Sequence, residues 1–379
     1  MKRIPGKFKA LYAAGVTLIG SLVLIASIGS PALSQQFTGD AMRISIRKDV
    51  KDLTSSQKAE IVAAILKAKA TPDPNDPSHS YYDRFVIWHR DAFACKNSWH
   101  QDGDWAGAAH NSPTFLPWHR EFLDKFETML REMSGNPALA LPYWDWTNPA
   151  STAAVFAPDF MGGNGDPAHS YAVTDGPFIK GKWRIIIKDP AALQKDLTPQ
   201  TSFLTRNFGH FVDTSVLLPT AAAVRGALAV NHYDHNPYNA SSPLPLSFRN
   251  SLEGWRDAKL AHCDDGWTIN EEVDMSPHEL HNLVHIYVGG VWRVADKLSQ
   301  GTMAYNTSPN DPVFFFHHAN IDRLFAAWEK TSRQHYQPAA GAKQGWNAND
   351  TMWPWHDRTI NSWFGTLRNG YRYASLPKM

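Results

Sequence analysis

Tyr82, Phe85, Val86 and His89 recur at the three- and four-residue spacing of one helical face, which predicts a helix over residues 80–94. Phe115, His119, Phe122, Phe126 and Met129 form a longer stripe of the same kind and predict a second helix over about 115–133. Nearer the start, Arg43-Ile44-Ser45-Ile46 alternates as a strand does. Behind it, Thr54-Ser55-Ser56-Gln57 has capping-box spacing and leads into an apolar stripe of Ile61, Ala64, Ile65 and Ala68. Two further helices read over about 276–287 and 312–331. The last opens with Asp311-Pro312, an N-cap residue followed by proline at the first helical position. Thr71–Ser80 and 96–114 are polar and rich in turn formers, hence loops. From 145 to 250 Pro, Gly, Asn and Asp are frequent, and the chain reads as long surface loops with a few short elements, among them a strand at Trp183–Ile187. The tail, 332–379, is aromatic and loop-like. The expected fold is mainly α: a four-helix bundle core whose helices carry histidines, wrapped in long loops with a few short strands.

The first 34 residues stand apart from this pattern. Lys2, Arg3, Lys7 and Lys9 precede an apolar run from Ala10 to about Gly29, and Ala32-Leu33-Ser34 has the small residues of a cleavage site. This is the form of a secretory signal, with Gln35 as the new N-terminus and 35–379 as one catalytic domain. The apolar run is long for such a signal, so an uncleaved anchor is the competing reading and the only route to stable membrane contact. No later segment is apolar enough to span a bilayer. Removal of the signal takes the formal net charge from +1 to −3, too little of either sign for a polyanion-binding surface and against a nucleic-acid partner. The expected location is secreted or periplasmic. The two cysteines, Cys95 and Cys263, are either a disulfide or two buried thiols, and their spacing matches no zinc or redox motif.

Seventeen histidines in 379 residues turn attention to metal chemistry. His281 and His285 are four apart and share a helical face. His318 lies in the last helix, His89 and His119 in the two early ones, and His110 in the loop before the second. Each half of the chain thus offers three imidazoles and no carboxylate, a donor set that suits copper or zinc rather than magnesium, calcium or non-haem iron. Spacing alone leaves His317, His278, His100 and His262 equally eligible, and a lone histidine on an apolar face is more often a hydrogen-bonded core residue than a ligand.

The residues around the histidines are more specific. Ser112-Pro113-Thr114-Phe115-Leu116-Pro117-Trp118-His119-Arg120-Glu121-Phe122 resembles the first copper signature of the tyrosinase family. The run from Ser308 through Phe314-Phe315-Phe316-His317-His318-Ala319-Asn320-Ile321-Asp322-Arg323 resembles the second. Leu141-Pro142-Tyr143-Trp144-Asp145-Trp146, His281-Asn282-Leu283-Val284-His285 with Gly289-Gly290, and Tyr371-Arg372-Tyr373 follow in the family's order, so the resemblance spans about residues 42–375. It implies two copper ions, one held by His89, His110 and His119, the other by His281, His285 and His318. In this family the second histidine of the His-His pair is the ligand, which drops His317.

The resemblance implies further roles. Asp322, one turn beyond His318, is expected to orient a ligand ring through its other nitrogen. Phe314, one turn before His318, is expected to pack over the site. Asn282 and a glutamate are expected to hold a water that serves as base. Leu252-Glu253-Gly254-Trp255-Arg256 resembles the segment that supplies it, so Glu253 is preferred. The stretch Asp257–Pro277, longer than in many relatives, offers Glu271 and Glu272 instead, and with Asp264, Asp265 and Trp267 it is expected to reshape the pocket rim. Ala108 stands where many relatives carry a cross-linked cysteine, so no thioether is expected. The chain stops soon after Tyr373, so a separate copper metallochaperone, or none, is expected to serve in place of a plugging domain.

The implied reaction uses O2 to hydroxylate small monophenols at the ortho position and to oxidise o-diphenols to o-quinones. Three competing readings remain at this point: a catechol or o-aminophenol oxidase without the hydroxylation step, a haemocyanin-like oxygen carrier, and a structural zinc protein.

Overall fold

The computed structural model describes residues 44–93, 108–186, 201–254, 280–294, 297–331 and 335–377. These residues belong to one compact unit that runs from Met42 to the end of the chain. Eight helices and eight short strands lie within them. Both cysteines, His100, His262, His278, Glu271 and Glu272 fall outside, as do the signal and the stretch before His281.

Helix α1 is Ser55–Ala70, α2 is Asp83–Phe93, α3 is Phe115–Ser134, α4 is Pro149–Val155, α5 is Ala221–Leu228, α6 is Phe248–Glu253, α7 is Leu280–Gly289 and α8 is Val313–Thr331. Local chemistry sets several of the ends. Thr54 accepts from the Gln57 N–H while Gln57 reaches back to the Thr54 N–H, so the capping box at α1 is complete. Asp311 Oδ1 accepts from the Val313 N–H at 3.1 Å and caps α8 behind Pro312. Gly135 ends α3 in the left-handed region, at φ 72°.

The stripes read from the sequence point inward. Ile61, Ala64, Ile65 and Ala68 of α1 are buried, as are Phe115, His119, Phe122, Phe126 and Met129 of α3. Helix α3 packs against α1 on one side and α8 on the other, and α7 lies against α8. Phe126 and Phe315 stack at 3.4 Å between ring centroids, with Phe85 edge-on to both, which ties α2, α3 and α8 together.

The strands are short: β1 (Ser45–Arg47), β2 (Gly165–Asp166), β3 (Ala172–Val173), β4 (His210–Phe211), β5 (Thr214–Ser215), β6 (Val291–Val294), β7 (Lys297–Gln300) and β8 (Tyr371–Tyr373). Strand β1 pairs in parallel with β8, so the tail expected to be loop is pinned to the first strand of the domain. That pairing delivers Arg47, Tyr371 and Tyr373 to a buried ionic cluster. Arg47 meets Glu127 at 2.8 Å and Asp322 at 3.2 Å, and Arg120 meets Asp322 at 2.6 Å and Glu329 at 2.9 Å.

The strand expected at Trp183–Ile187 is not formed by its described residues. Ile185 donates to the Ser202 carbonyl, and the amide of Asn310 both accepts from the Ile186 N–H and donates to its carbonyl. A side chain occupies the place of a neighbouring strand there, so the apolar positions are buried without a ladder. Among the described residues no helix is long and apolar enough to cross a membrane.

Candidate metal centre

Two groups of histidines converge where α2, α3, α7 and α8 meet: His89, His110 and His119 in one, His281, His285, His317 and His318 in the other. All four are helices whose apolar faces point inward, so a histidine set into such a face is carried to the core. His110 arrives by a different device. The following residue, Asn111, adopts the left-handed region at φ 53°, and its N–H donates to Glu253 Oε1 at 2.6 Å. The end of α6 thereby fixes the loop that presents His110.

In the first group the ring centroids lie 4.9 Å (His89–His110), 5.0 Å (His110–His119) and 5.7 Å (His89–His119) apart. In the second, the Nε2 atoms of His281, His285 and His318 form a triangle with sides of 3.1, 3.2 and 3.3 Å. An ion above its centre at an imidazole–metal bond of about 2.0–2.1 Å would reach all three nitrogens. The two groups face each other: His119 stacks on His318 at 4.2 Å and 16°, and His110 lies 5.6 Å from His281.

The hydrogen bonds on the opposite ring nitrogens say what those nitrogens carry. Nδ1 of His89 meets the Asn306 carbonyl at 2.6 Å, Nδ1 of His119 the Phe115 carbonyl at 2.9 Å, and Nδ1 of His285 the Met303 carbonyl at 2.7 Å. His281 Nδ1 meets Asn282 Oδ1 at 2.8 Å. All four partners are acceptors, so each Nδ1 carries the proton and each Nε2 carries a lone pair. Lone pairs of His281 and His285 then point at each other across 3.1 Å, a repulsive contact that a cation between them relieves. Nε2 of His119 is likewise buried with no hydrogen-bond partner among the described residues. Burial pushes the imidazolium forms down, His89 to about 3 and His285 to about 4, and His110, His119, His281 and His318 well below the ordinary range. Neutral imidazole is the form that binds metal.

His317 belongs to the second group by distance but not by proton. The Trp146 indole N–H donates to its Nδ1 at 3.1 Å, which puts the lone pair there and the proton on Nε2. The nitrogen aimed at the group is a donor, unsuited to a cation.

Phe314 stacks on His318 at 4.0 Å and meets His89 edge-on at 4.9 Å, so one ring touches both groups. Glu253 is fully buried rather than on a loop surface. Its Oε2 accepts from Arg249 at 3.0 Å, and its backbone carbonyl lies 3.4 Å from His281 Nδ1. Asn282 places its oxygen on His281 and leaves its buried Nδ2 without a partner among the described residues.

Asp322 is a correction. It was expected to orient a ligand ring, but its carboxylate accepts from Arg47, Arg120 and the hydroxyls of Tyr371 and Tyr373. With two guanidiniums and two phenols around it, the carboxylate belongs to the ionic cluster. The sequence reading missed what does orient the rings, the carbonyls of Phe115, Met303 and Asn306. Backbone carbonyls carry no residue signature, so nothing in the sequence could have marked them. Trp146 could have been found, since it closes the Leu141–Trp146 segment that takes part in the family resemblance.

A helical bundle that buries two facing sets of neutral imidazoles defines a multi-histidine metalloprotein. The family model for the common central domain of tyrosinase matches residues 79–331. The chain is 37% identical over 320 residues to a tyrosinase of Streptomyces antibioticus, covering 83% of this chain and 94% of that one. It is 32% identical over 330 residues to grixazone synthase of Streptomyces griseus, covering 83% and 95%. Among solved structures, a recombinant latent aurone synthase (polyphenol oxidase) superposes with a TM-score of 0.54 at 19% identity, a likeness of fold. It covers 91% of this chain and 60% of that one. The chain belongs to the tyrosinase family and is a copper-dependent oxidoreductase.

Proposed function

We propose that the protein is a tyrosinase that holds two copper ions, one on His89, His110 and His119, the other on His281, His285 and His318, and uses O2 to convert small monophenols to o-diphenols and these to o-quinones. The observation that carries this reading is the stacking of His119 on His318, which brings the two sets of imidazoles close enough for one small molecule to lie between them. Copper supplies the activation of O2 when bound. The chain's own residues do the rest. Nδ1–H bonds to backbone carbonyls fix the ring orientations. Phe314 and the buried aromatic shell keep water from the centre. Glu253 and Asn282, on either side of His281, are assigned the water that takes the phenolic proton, and the unpartnered Asn282 Nδ2 supports that assignment.

The test is oxygen uptake by copper-loaded protein with tyrosine and with DOPA. Uptake with both, after a lag with tyrosine, is expected, whereas uptake with DOPA alone would overturn the hydroxylating step. Export through cleavage after Ser34 and copper delivery by a separate metallochaperone belong to the same proposal. Protein recovered from the medium or periplasm should begin at Gln35, and an intact N-terminus on exported protein would refute the cleavage.

A further inference from the structure

A second cavity, of about 290 Å³, opens on the far side of the segment that orients the histidines. Its walls include Tyr171, Trp292, Ser299, Gln300 and Tyr305. Trp292, Gln300 and Tyr305 are each more than nine-tenths buried, at 6%, 9% and 7% exposure, yet all border the opening. Tyr171 meets Trp292 at 4.3 Å between centroids. It is placed there by two consecutive residues in the left-handed region, Ser170 at φ 57° and Tyr171 at φ 59°. Side chains other than glycine enter that region at a cost, and such residues cluster where a ligand is held. Among the described residues the Gln300 amide and the Trp292 indole N–H form no hydrogen bond. Two polar groups are thus set into an aromatic wall and offered to the cavity.

The lining selects the ligand. Aromatic faces favour a planar ring in an offset or edge-on pose. An amide that both donates and accepts suits a hydroxyl, which does the same. The volume sits at the small end of ligand cavities and fits one substituted ring.

The same segment of chain joins this cavity to the metal centre. Gln300 and Tyr305 line the cavity. Between them runs a turn at Thr302–Ala304 whose Met303 carbonyl holds His285, and Asn306, directly after Tyr305, holds His89 by its carbonyl. Thr302 is tied to Thr205, itself in the cavity wall, by bonds of 2.9 and 3.0 Å. A ligand that shifts Tyr305 or Gln300 therefore acts on a strap that orients one ring of each histidine set.

We propose that this cavity is a second binding site for a monocyclic phenol that is not the one being oxidised, and that its occupancy is transmitted to His89 and His285 through Gly301–Asn306. The binding half needs no metal, while the transmission half rests on the ligand assignment proposed above. The experiment is a titration of copper-loaded, reduced protein with 4-fluorophenol under nitrogen, followed by the indole N–H signal of Trp292, assigned by its disappearance in Trp292→Phe. Reduced copper is diamagnetic and, without O2, no phenol is consumed. Saturable movement of the Trp292 signal is expected, with the imidazole N–H signals of His89 and His285 moving at the same midpoint. Gln300→Ala should raise that midpoint about five- to tenfold through the lost hydrogen bond. A Trp292 signal that stays still or drifts without saturating overturns the site. A saturating Trp292 signal with unmoved histidine signals overturns the transmission. Copper content is measured on the same sample. Protein that takes up no copper defeats the metal assignment, and the Trp292 titration still decides the cavity.

Discussion

The Trp146 indole N–H donates to Nδ1 of His317 at 3.1 Å, and this bond separates two adjacent histidines that distance alone does not. His317 and His318 both lie within the second group. The indole forces His317 to present a proton toward the group, whereas His318 presents Nε2 to His281 and His285. Substituting His318 with glutamine is expected to remove one copper of the two and nearly all phenol oxidation. His317→Gln is expected to keep both coppers. Metal analysis of purified, folded variants checks this, and loss of copper from His317→Gln would reverse the assignment.

Asp322 is expected to act on stability and not on metal orientation. Its carboxylate is buried, and desolvation would raise its pKa. Arg120 and Arg47, with the hydroxyls of Tyr371 and Tyr373, outweigh that and hold it below the ordinary range. Removing one member of a buried ion cluster leaves the others uncompensated and costs about 3–5 kcal/mol. Asp322→Ala should lose roughly that much in urea denaturation at neutral pH, while the folded fraction still binds copper. A depressed carboxyl pKa stabilises the fold above the unfolded value of about 3.9 and ceases to do so as pH falls through the folded value. The stability gap between wild type and Asp322→Asn should therefore narrow in acid. A gap independent of pH would contradict the argument.

The contrast between those two residues shows where the sequence was legible. The stripes through His89 and His119 could be read because a helix repeats its face at a fixed spacing, and their residues are buried as expected. The Thr54 capping box and the Asp311 cap are local chemistry, and both are formed. Asp322 was misread because its spacing from His318 says nothing of Arg47, which lies 275 residues away and arrives through the β1–β8 pairing. The strand at Trp183 was misread because a buried apolar run does not reveal whether strand or side chain satisfies its backbone. The orienting carbonyls of Met303 and Asn306 belong to backbone geometry, which no residue identity announces. His110 could be listed as a candidate from the sequence but was assigned as a ligand only through resemblance to a family, since its place depends on Asn111 and Glu253.

Gly289 is expected to control the metal site from outside it. A Cβ there would lie 2.8 Å from the Ala304 nitrogen and 2.9 Å from the Ala304 side chain, inside any allowed contact. The neighbour is backbone and next to Met303, so relief moves the carbonyl that holds His285. Alanine favours a helix over glycine by about 1 kcal/mol, and that gain does not offset the clash. Gly289→Ala should weaken copper binding at the second group by about 10–100-fold, the range seen when an orienting partner of a ligand is lost. Competition with a copper chelator measures it. Unchanged retention of both coppers would show that the turn at Thr302–Ala304 yields without disturbing His285.

Asn282 is expected to matter more for monophenols than for diphenols. Its Oδ1 takes the His281 N–H at 2.8 Å, but the Glu253 carbonyl stands 3.4 Å from the same nitrogen and can take that bond in its absence. Asn282→Ala should therefore keep both coppers. What it loses is the Nδ2 donor assigned to the proton-accepting water. A positioned base is worth about 10²–10⁴-fold, and a monophenol needs it more than a catechol, which ionises more readily. Oxygen uptake with tyrosine should fall by about 10²-fold or more in Asn282→Ala, with a much smaller loss for DOPA. Glu253→Gln should show the same split, because glutamine still accepts the Asn111 N–H and preserves the loop that presents His110. Equal losses with both substrates, accompanied by loss of copper, would instead place Asn282 and Glu253 among the residues that build the centre.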